Sequence, residues 1–144
     1  MNINFKKKKR ILILCTGNSC RSQMAEGFFK KYKKDWEIKS AGIYPVALNS
    51  LAVRVMAAKG IDISGQKSKS VKKFISQSFD YVITVCDNAK ESCPLFPGKA
   101  EYIHWDIEDP ALVEGGTEFK FEKFMEVRND IEKNILNFLK GIKD

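Results

Sequence analysis

The sequence predicts an α/β domain, a four-stranded parallel sheet with helices on both faces, and three observations carry that reading. Four short apolar runs are bounded by turn residues, and segments of helical periodicity fall between and after them. The first run ends directly in a loop of glycine, asparagine, serine and arginine, and ligand loops of open parallel sheets lie beyond strand carboxyl ends. Strands are expected at Arg10 to Leu14, Trp36 to Ala41, Tyr81 to Val85 and Ala100 to His104. The first helix is expected over Ser22 to Lys34, where Met24, Ala25, Phe28 and Tyr32 share a face, and the second over Leu51 to Lys59, stopped by Gly60. The last runs from about Thr117 to Lys140, with Phe121, Phe124, Met125, Val127, Ile131, Ile135, Phe138 and Leu139 at a 3.6-residue period.

The chain has 144 residues, enough for one domain to bury a core without staples. We expect residues 1–9 to form a basic tail and 10–144 a single catalytic domain. The formal net charge is +7, but Lys6 to Arg10 supply five of these charges and the remainder carries only +2. With no interleaved aromatics or nucleic-acid motif, the basic run is expected to be a solvated tail that steers small anions rather than a nucleic-acid arm. The apolar stretch behind it stops at Cys15, short of a signal-peptide core, and no segment reaches the roughly 20 apolar residues of a membrane span. A cytoplasmic location and no membrane partner are expected.

Without export, the four cysteines read as reactive thiols rather than a disulfide framework. Their spacings, 15/20 and 86/93, are not those of a zinc knuckle, and His104, the one histidine, has no partner at ligand spacing along the chain. No metal and no cofactor are expected.

Cys15-Thr16-Gly17-Asn18-Ser19-Cys20-Arg21-Ser22 combines a nucleophile with an oxyanion cradle. Gly17 and Asn18 tolerate the positive φ values that turn successive N–H groups inward. Arg21 supplies a planar two-point grip suited to phosphate or arsenate, and Ser22 can donate to the Cys15 sulfur. Cys15 is expected to act as a thiolate nucleophile, with Thr16, Gly17, Asn18, Ser19, Cys20, Arg21 and Ser22 around the anion. Cys20 is read as a small, half-buried residue rather than a redox group.

This Cys-x5-Arg-Ser loop, after the first strand and before the first helix, resembles the signature of the low-molecular-weight protein tyrosine phosphatase fold. More narrowly, the run from Cys15 through Gln23-Met24-Ala25-Glu26-Gly27 resembles thioredoxin-coupled arsenate reductases built on that fold. The resemblance continues through Ser40-Ala41-Gly42, Cys86 to Pro94, His104-Trp105 and Asp109-Pro110. Cys86 and Cys93 separate the two families, because a phosphatase needs neither.

The resemblance implies a three-cysteine relay with thioredoxin as reductant. Cys15 attacks arsenate, Cys86 attacks the Cys15 sulfur to release arsenite and form an intermediate Cys15–Cys86 disulfide, and Cys93 exchanges to leave Cys86–Cys93. If the segment joining Cys86 and Cys93 is helical when reduced, it must unwind to close that second disulfide. The resemblance also places a general acid at Asp109, with Asp106 and Glu108 as rivals and an ordinary turn aspartate as the plainer reading. His104 and Trp105 are read as packing groups at a strand end.

Some of these reductases bind potassium through positions matching Asn18, Glu26, Ser40 and Lys69. A lysine cannot ligate a cation, so its ammonium is expected to pair with Glu26 and no potassium requirement is expected. A monomer acting on arsenate is the leading expectation. A phosphotyrosine phosphatase or phosphomonoesterase needs only Cys15, Arg21 and Asp109 and is the alternative, opposed by Gln23 where phosphatases carry proline and by Ala111-Leu112 where they carry tyrosines. A non-catalytic oxyanion sensor is third.

Overall fold

The computed structural model of the chain describes residues 8–142. Within them, β1 (Arg10–Cys15), β2 (Glu37–Gly42), β3 (Tyr81–Thr84) and β4 (Glu101–His104) form one sheet in the order β2-β1-β3-β4, with every pair parallel. The four helices are α1 (Arg21–Tyr32), α2 (Ser50–Ala57), α3 (Asp87–Glu91) and α4 (Thr117–Lys140). Each expected strand and long helix is present, with ends shifted by no more than two residues. The 3-10 turns at Val71–Phe74 and Pro110–Leu112 carry no periodic signal and were not expected, and the short α3 supplies the helix between Cys86 and Cys93 that the sequence left as a condition.

Ile11 to Leu14 are fully buried because β1 lies between two strands and beneath helices, which is why it reads as an unbroken apolar run rather than an alternating one. Successive residues of β3 face opposite sides of the sheet. Tyr81 belongs to an aromatic cluster with Trp36 (5.7 Å) and with Phe138 of α4 (5.1 Å), while Phe29 of α1 meets the same Trp36 and Phe138 at 6.4 and 6.1 Å. Helices α1 and α4 therefore cover one face, with α2 packed on both. Val82 and Thr84 turn the other way and line a small cavity with Lys90, Cys93, Tyr102 and His104, beneath α3.

Helix α2 begins at an Asn49 cap, whose Oδ1 accepts from the Leu51 N–H at 2.8 Å, and the chain leaves it through Gly60 at φ +76°, the stop expected there. In α4 the periodic apolar face is buried at Phe124, Val127, Ile131 and Ile135. Arg128 is also buried there and donates to the Val55 carbonyl at 2.9 Å, tying α4 to α2. Of the basic run, residues 1–7 lie outside the described residues. Lys9 accepts from the Glu37 N–H at 2.8 Å, so pairing along β2 extends one residue into the expected tail.

The order β2-β1-β3-β4 places a topological switch point between β1 and β3, since the chain leaves β1 toward one edge and later builds toward the other. Leu14 is in register with Thr84, so Cys15 and Cys86 emerge at the same edge of this crevice.

Phe29 is fully buried at the junction of α1, α4 and Trp36. Phe29→Ala is expected to cost about 3–5 kcal/mol, read as a lower urea midpoint with little change in m-value.

Candidate active site

The loop between β1 and α1 is shaped by its carbonyls. The oxygens of Cys15, Thr16, Gly17 and Ser19 accept from the N–H groups of Ile43, Tyr44, Val46 and Asn49 at 2.8–3.2 Å, and that of Asn18 accepts from Ser68 Oγ and Gln23 Nε2. With carbonyls drawn outward, the peptide planes of a tight loop turn their N–H groups inward. Asn18 shows the result: at φ +49° its N–H donates to Cys15 Sγ at 3.0 Å.

The Asn18 side chain fixes the polarity of a longer chain of bonds. Its Nδ2 donates to Ser22 Oγ (2.7 Å) and Ser40 Oγ (3.0 Å). Ser22, having accepted, turns its hydroxyl hydrogen to Cys15 Sγ at 2.8 Å, while Ser40 donates to Glu26 Oε1 at 2.6 Å. Asn18 Oδ1 accepts from the Lys69 N–H and from Gln23 Nε2. Asn18, Ser22, Gln23 and Ser40 are fully buried, so each bond is made away from competing water.

Glu26 is the anionic end of this chain. Lys30 Nζ donates to its Oε2 at 2.6 Å and Lys69 Nζ stands 3.8 Å from Oε1, the pairing expected of that lysine. Burial and the neighbouring Lys30, Lys73 and Lys39 pull the Lys69 ammonium below the ordinary lysine range, against the raising effect of Glu26.

Arg21 opens α1 and is nearly buried. Its Nη1 donates to the Ile107 carbonyl at 3.0 Å, and Nη2 lies 3.5 Å from Asp109 Oδ2. Asp109 also caps the 3-10 turn Pro110–Leu112, Oδ1 accepting from the Ala111 N–H at 3.0 Å. It is thus both a turn aspartate and a carboxylate facing the loop arginine. Its two rivals sit elsewhere: Glu108 pairs with Lys123 at 3.1 Å, and Asp106 is exposed near His104.

Cys86 caps α3, its sulfur accepting from the Ala89 N–H at 3.4 Å and lying 3.2 Å from Thr16 Oγ1. Thr16 therefore bridges the Cys15 loop to the second cysteine. Cys93 lies past the end of α3, its thiol directed to the Pro94 carbonyl at 3.5 Å and pushed up in pKa by burial. All four cysteines are free thiols. Cys20 is buried rather than half-buried, and burial pushes its pKa to about 11, which keeps it a neutral thiol.

The family model described as low molecular weight phosphotyrosine protein phosphatase matches residues 10–144. The chain belongs to this phosphatase family. Among its relatives, an arsenate reductase of Halalkalibacterium halodurans is 48% identical over 132 residues, 91% of this chain and 95% of that protein. One of Bacillus subtilis is 44% identical over 133 residues, 92% of this chain and 96% of that one. Among solved structures, an arsenate reductase in the oxidized state matches with a TM-score of 0.79 at 30% identity, covering 94% of this chain and 99% of its own. A low molecular weight protein tyrosine phosphatase from T. tengcongensis matches with a TM-score of 0.78 at 30% identity, covering 94% and 100%.

In this member of the phosphatase family, Cys15 is linked to Asn18 and Ser22, Thr16 to Cys86 and Arg21 to Asp109, while Cys93 lies past the carboxyl end of α3. Sequence reasoning missed the part of Gln23 and Ser68 in holding the Asn18 carbonyl. For Gln23 the signal was its place directly after Arg21-Ser22; for Ser68, fifty residues from Asn18 along the chain, there was none.

Gly42 supplies a further constraint, because a Cβ there would lie 2.8 Å from the Thr16 oxygen and 2.9 Å from the Asn18 nitrogen. Backbone cannot yield to it without moving the loop. Gly42→Ala is expected to keep the far-UV spectrum of the fold and to weaken binding of inorganic phosphate roughly tenfold or more, about 1.4 kcal/mol, by calorimetric titration.

Proposed function

We propose that this chain is an arsenate reductase working by a relay of Cys15, Cys86 and Cys93, with thioredoxin as the external reductant. The observation that carries the reading is the placement of Cys86, whose sulfur lies 3.2 Å from Thr16 Oγ1 at the rim of the Cys15 loop, with a third thiol one short helix away. Hydrolysis of a phosphomonoester by Cys15, Arg21 and Asp109 would use neither. The named arsenate reductases among its relatives, matched over nine-tenths of the chain, support the same reading.

Arsenate enters the loop with its oxygens on the inward N–H groups and on Arg21. Arg21 Nε is buried without a hydrogen-bond partner among the described residues, and it is the donor an oxyanion would take. The Cys15 thiolate attacks arsenic, an As–S bond forms, and a hydroxide leaves with a proton from Asp109 as water. The Cys86 thiolate then attacks Cys15 Sγ. A sulfur–sulfur bond forms, the As–S bond breaks with its electron pair left on arsenic, and arsenic(V) becomes arsenic(III) as two thiolates become one disulfide.

Cys93 next attacks the Cys86 sulfur and expels Cys15 as a thiolate. Since Cys93 lies beyond the carboxyl end of α3 and Cys86 at its start, that step needs α3 to unwind. The resulting Cys86–Cys93 disulfide is reduced by the dithiol of thioredoxin. Lys69 stands where an alkali cation would meet Glu26, so these residues do not fit a potassium ion and no step passes through one. Among the described residues no helix is long and apolar enough to cross a membrane. A cytoplasmic monomer remains our reading.

Arsenate turnover with a thioredoxin system, run beside glutathione with glutaredoxin, tests the reductant, and p-nitrophenyl phosphate hydrolysis tests the phosphatase alternative. Cys86→Ser is expected to release no arsenite. Cys93→Ser is expected to release about one arsenite per protein and stop as the Cys15–Cys86 disulfide, seen by peptide mapping. Multiple turnovers by Cys93→Ser with thioredoxin would contradict the assigned order.

A further inference from the structure

The fold brings Asp87 to His104 and Asp106, a neighbouring pair seventeen and nineteen residues further along the chain, to form a group of three potential metal ligands outside the oxyanion loop. Asp87 follows Cys86 and opens α3, His104 ends β4, and Asp106 lies two residues beyond it. One ligand atom from each lies within 4.8 Å of the others, and His104 Nε2 is 3.3 Å from Asp87 Oδ1. Around a divalent first-row ion with bonds of about 2.0–2.2 Å, neighbouring donors sit roughly 3–3.5 Å apart, so that pair already has a ligand–ligand separation. Asp106 needs only a side-chain rotation to join it, and as an exposed residue it is free to make one.

The imidazole is also held from behind. Thr84 Oγ1 lies 2.8 Å from His104 Nδ1. When the hydroxyl accepts from Nδ1–H, the lone pair is left on Nε2, facing the two aspartates. This is the outer support that metal-binding histidines use to fix ring and tautomer. A neutral imidazole with two carboxylates suits borderline divalent ions of the cobalt and zinc type, with water completing the shell.

We infer that Asp87, His104 and Asp106 form a divalent-cation site whose occupancy clamps the start of α3 to the end of β4 and restrains the helix that separates Cys86 from Cys93. The clamp's effect on catalysis rests on the relay proposed above; cation binding and helix restraint do not. A bound ion ties the residue next to Cys86 to a strand end that stays in the sheet, so α3 opens less often and the exchange from Cys86 to Cys93 slows. The cation takes no part in the electron balance of any step.

Cobalt(II) titrated into the reduced full-length protein without arsenate tests the site, because its absorption separates nitrogen and oxygen ligands from thiolates. The expected result is saturable one-to-one binding with visible ligand-field bands and no near-ultraviolet thiolate-to-cobalt band, weakened at least tenfold in Asp106→Asn and in His104→Ala. Asp106→Asn changes an exposed side chain, so lost binding there is not a folding failure. Hydrogen exchange over residues 87–93 is expected to slow when cobalt is bound. Absence of saturable binding, a thiolate band accounting for it, or Asp106→Asn binding like the parent protein would overturn the site. Binding with unchanged exchange would overturn the clamp. Failure of the relay would instead show in arsenite release without cobalt.

Discussion

Asn18 holds a backbone angle of φ +49° that only a few residue types accept, and its side-chain amide makes four hydrogen bonds at once. The two donated bonds decide the direction of everything downstream: Ser22 must turn its hydrogen to Cys15, and Ser40 must turn its own to Glu26. The two accepted bonds anchor the loop to α1 through Gln23 and to the 67–70 segment through Lys69. An aspartate would fit the backbone angle but supply no donors. Because the network is fully buried and fully used, losing one member leaves several polar groups unpaired at once, at roughly 1–3 kcal/mol for each.

The sheet order turns that local arrangement into a chemical one. Parallel strands on either side of a switch point deliver their carboxyl ends to the same crevice, so one loop there carries Cys15 and the next carries a second thiol, Cys86. A helix of only five residues lies between the second thiol and the third. Such a helix is held mainly by its cap and its packing rather than by its own length, and it is therefore the part of the crevice most easily opened. Asp87 and His104, one at the start of that helix and one on the neighbouring strand, meet across it.

The sheet and the three long helices were legible in the sequence because each carries many residues of one period, as in β1, where four consecutive apolar residues are buried on both faces, and in α4. The form of the Cys15 loop was legible in part: glycine, asparagine, cysteine and arginine at that spacing imply inward N–H groups, and Asn18, though not Gly17, takes the positive φ that turns its N–H to Cys15. The short α3 was not legible, since five residues hold little more than one helical turn and its capping atom is a cysteine sulfur. Arg128, which reads as a solvated charge, is buried because α2 offers it a free carbonyl at the end of a long reach. His104 and Asp106 stand two residues apart in the sequence, but the approach of Asp87 to them depends on strand register and leaves no trace in spacing along the chain.

The proposed relay depends on the order in which three sulfurs are joined. The most direct measurement mixes the fully reduced wild-type protein with one equivalent of arsenate and no reductant, quenches by alkylation at successive times, and maps both disulfides and arsenite. The account predicts that Cys15–Cys86 rises together with arsenite and then decays as Cys86–Cys93 accumulates, with Cys15 returning to the alkylated pool. Arsenite release with no disulfide at Cys15, or Cys86–Cys93 forming while Cys15 stays alkylatable throughout, would contradict it.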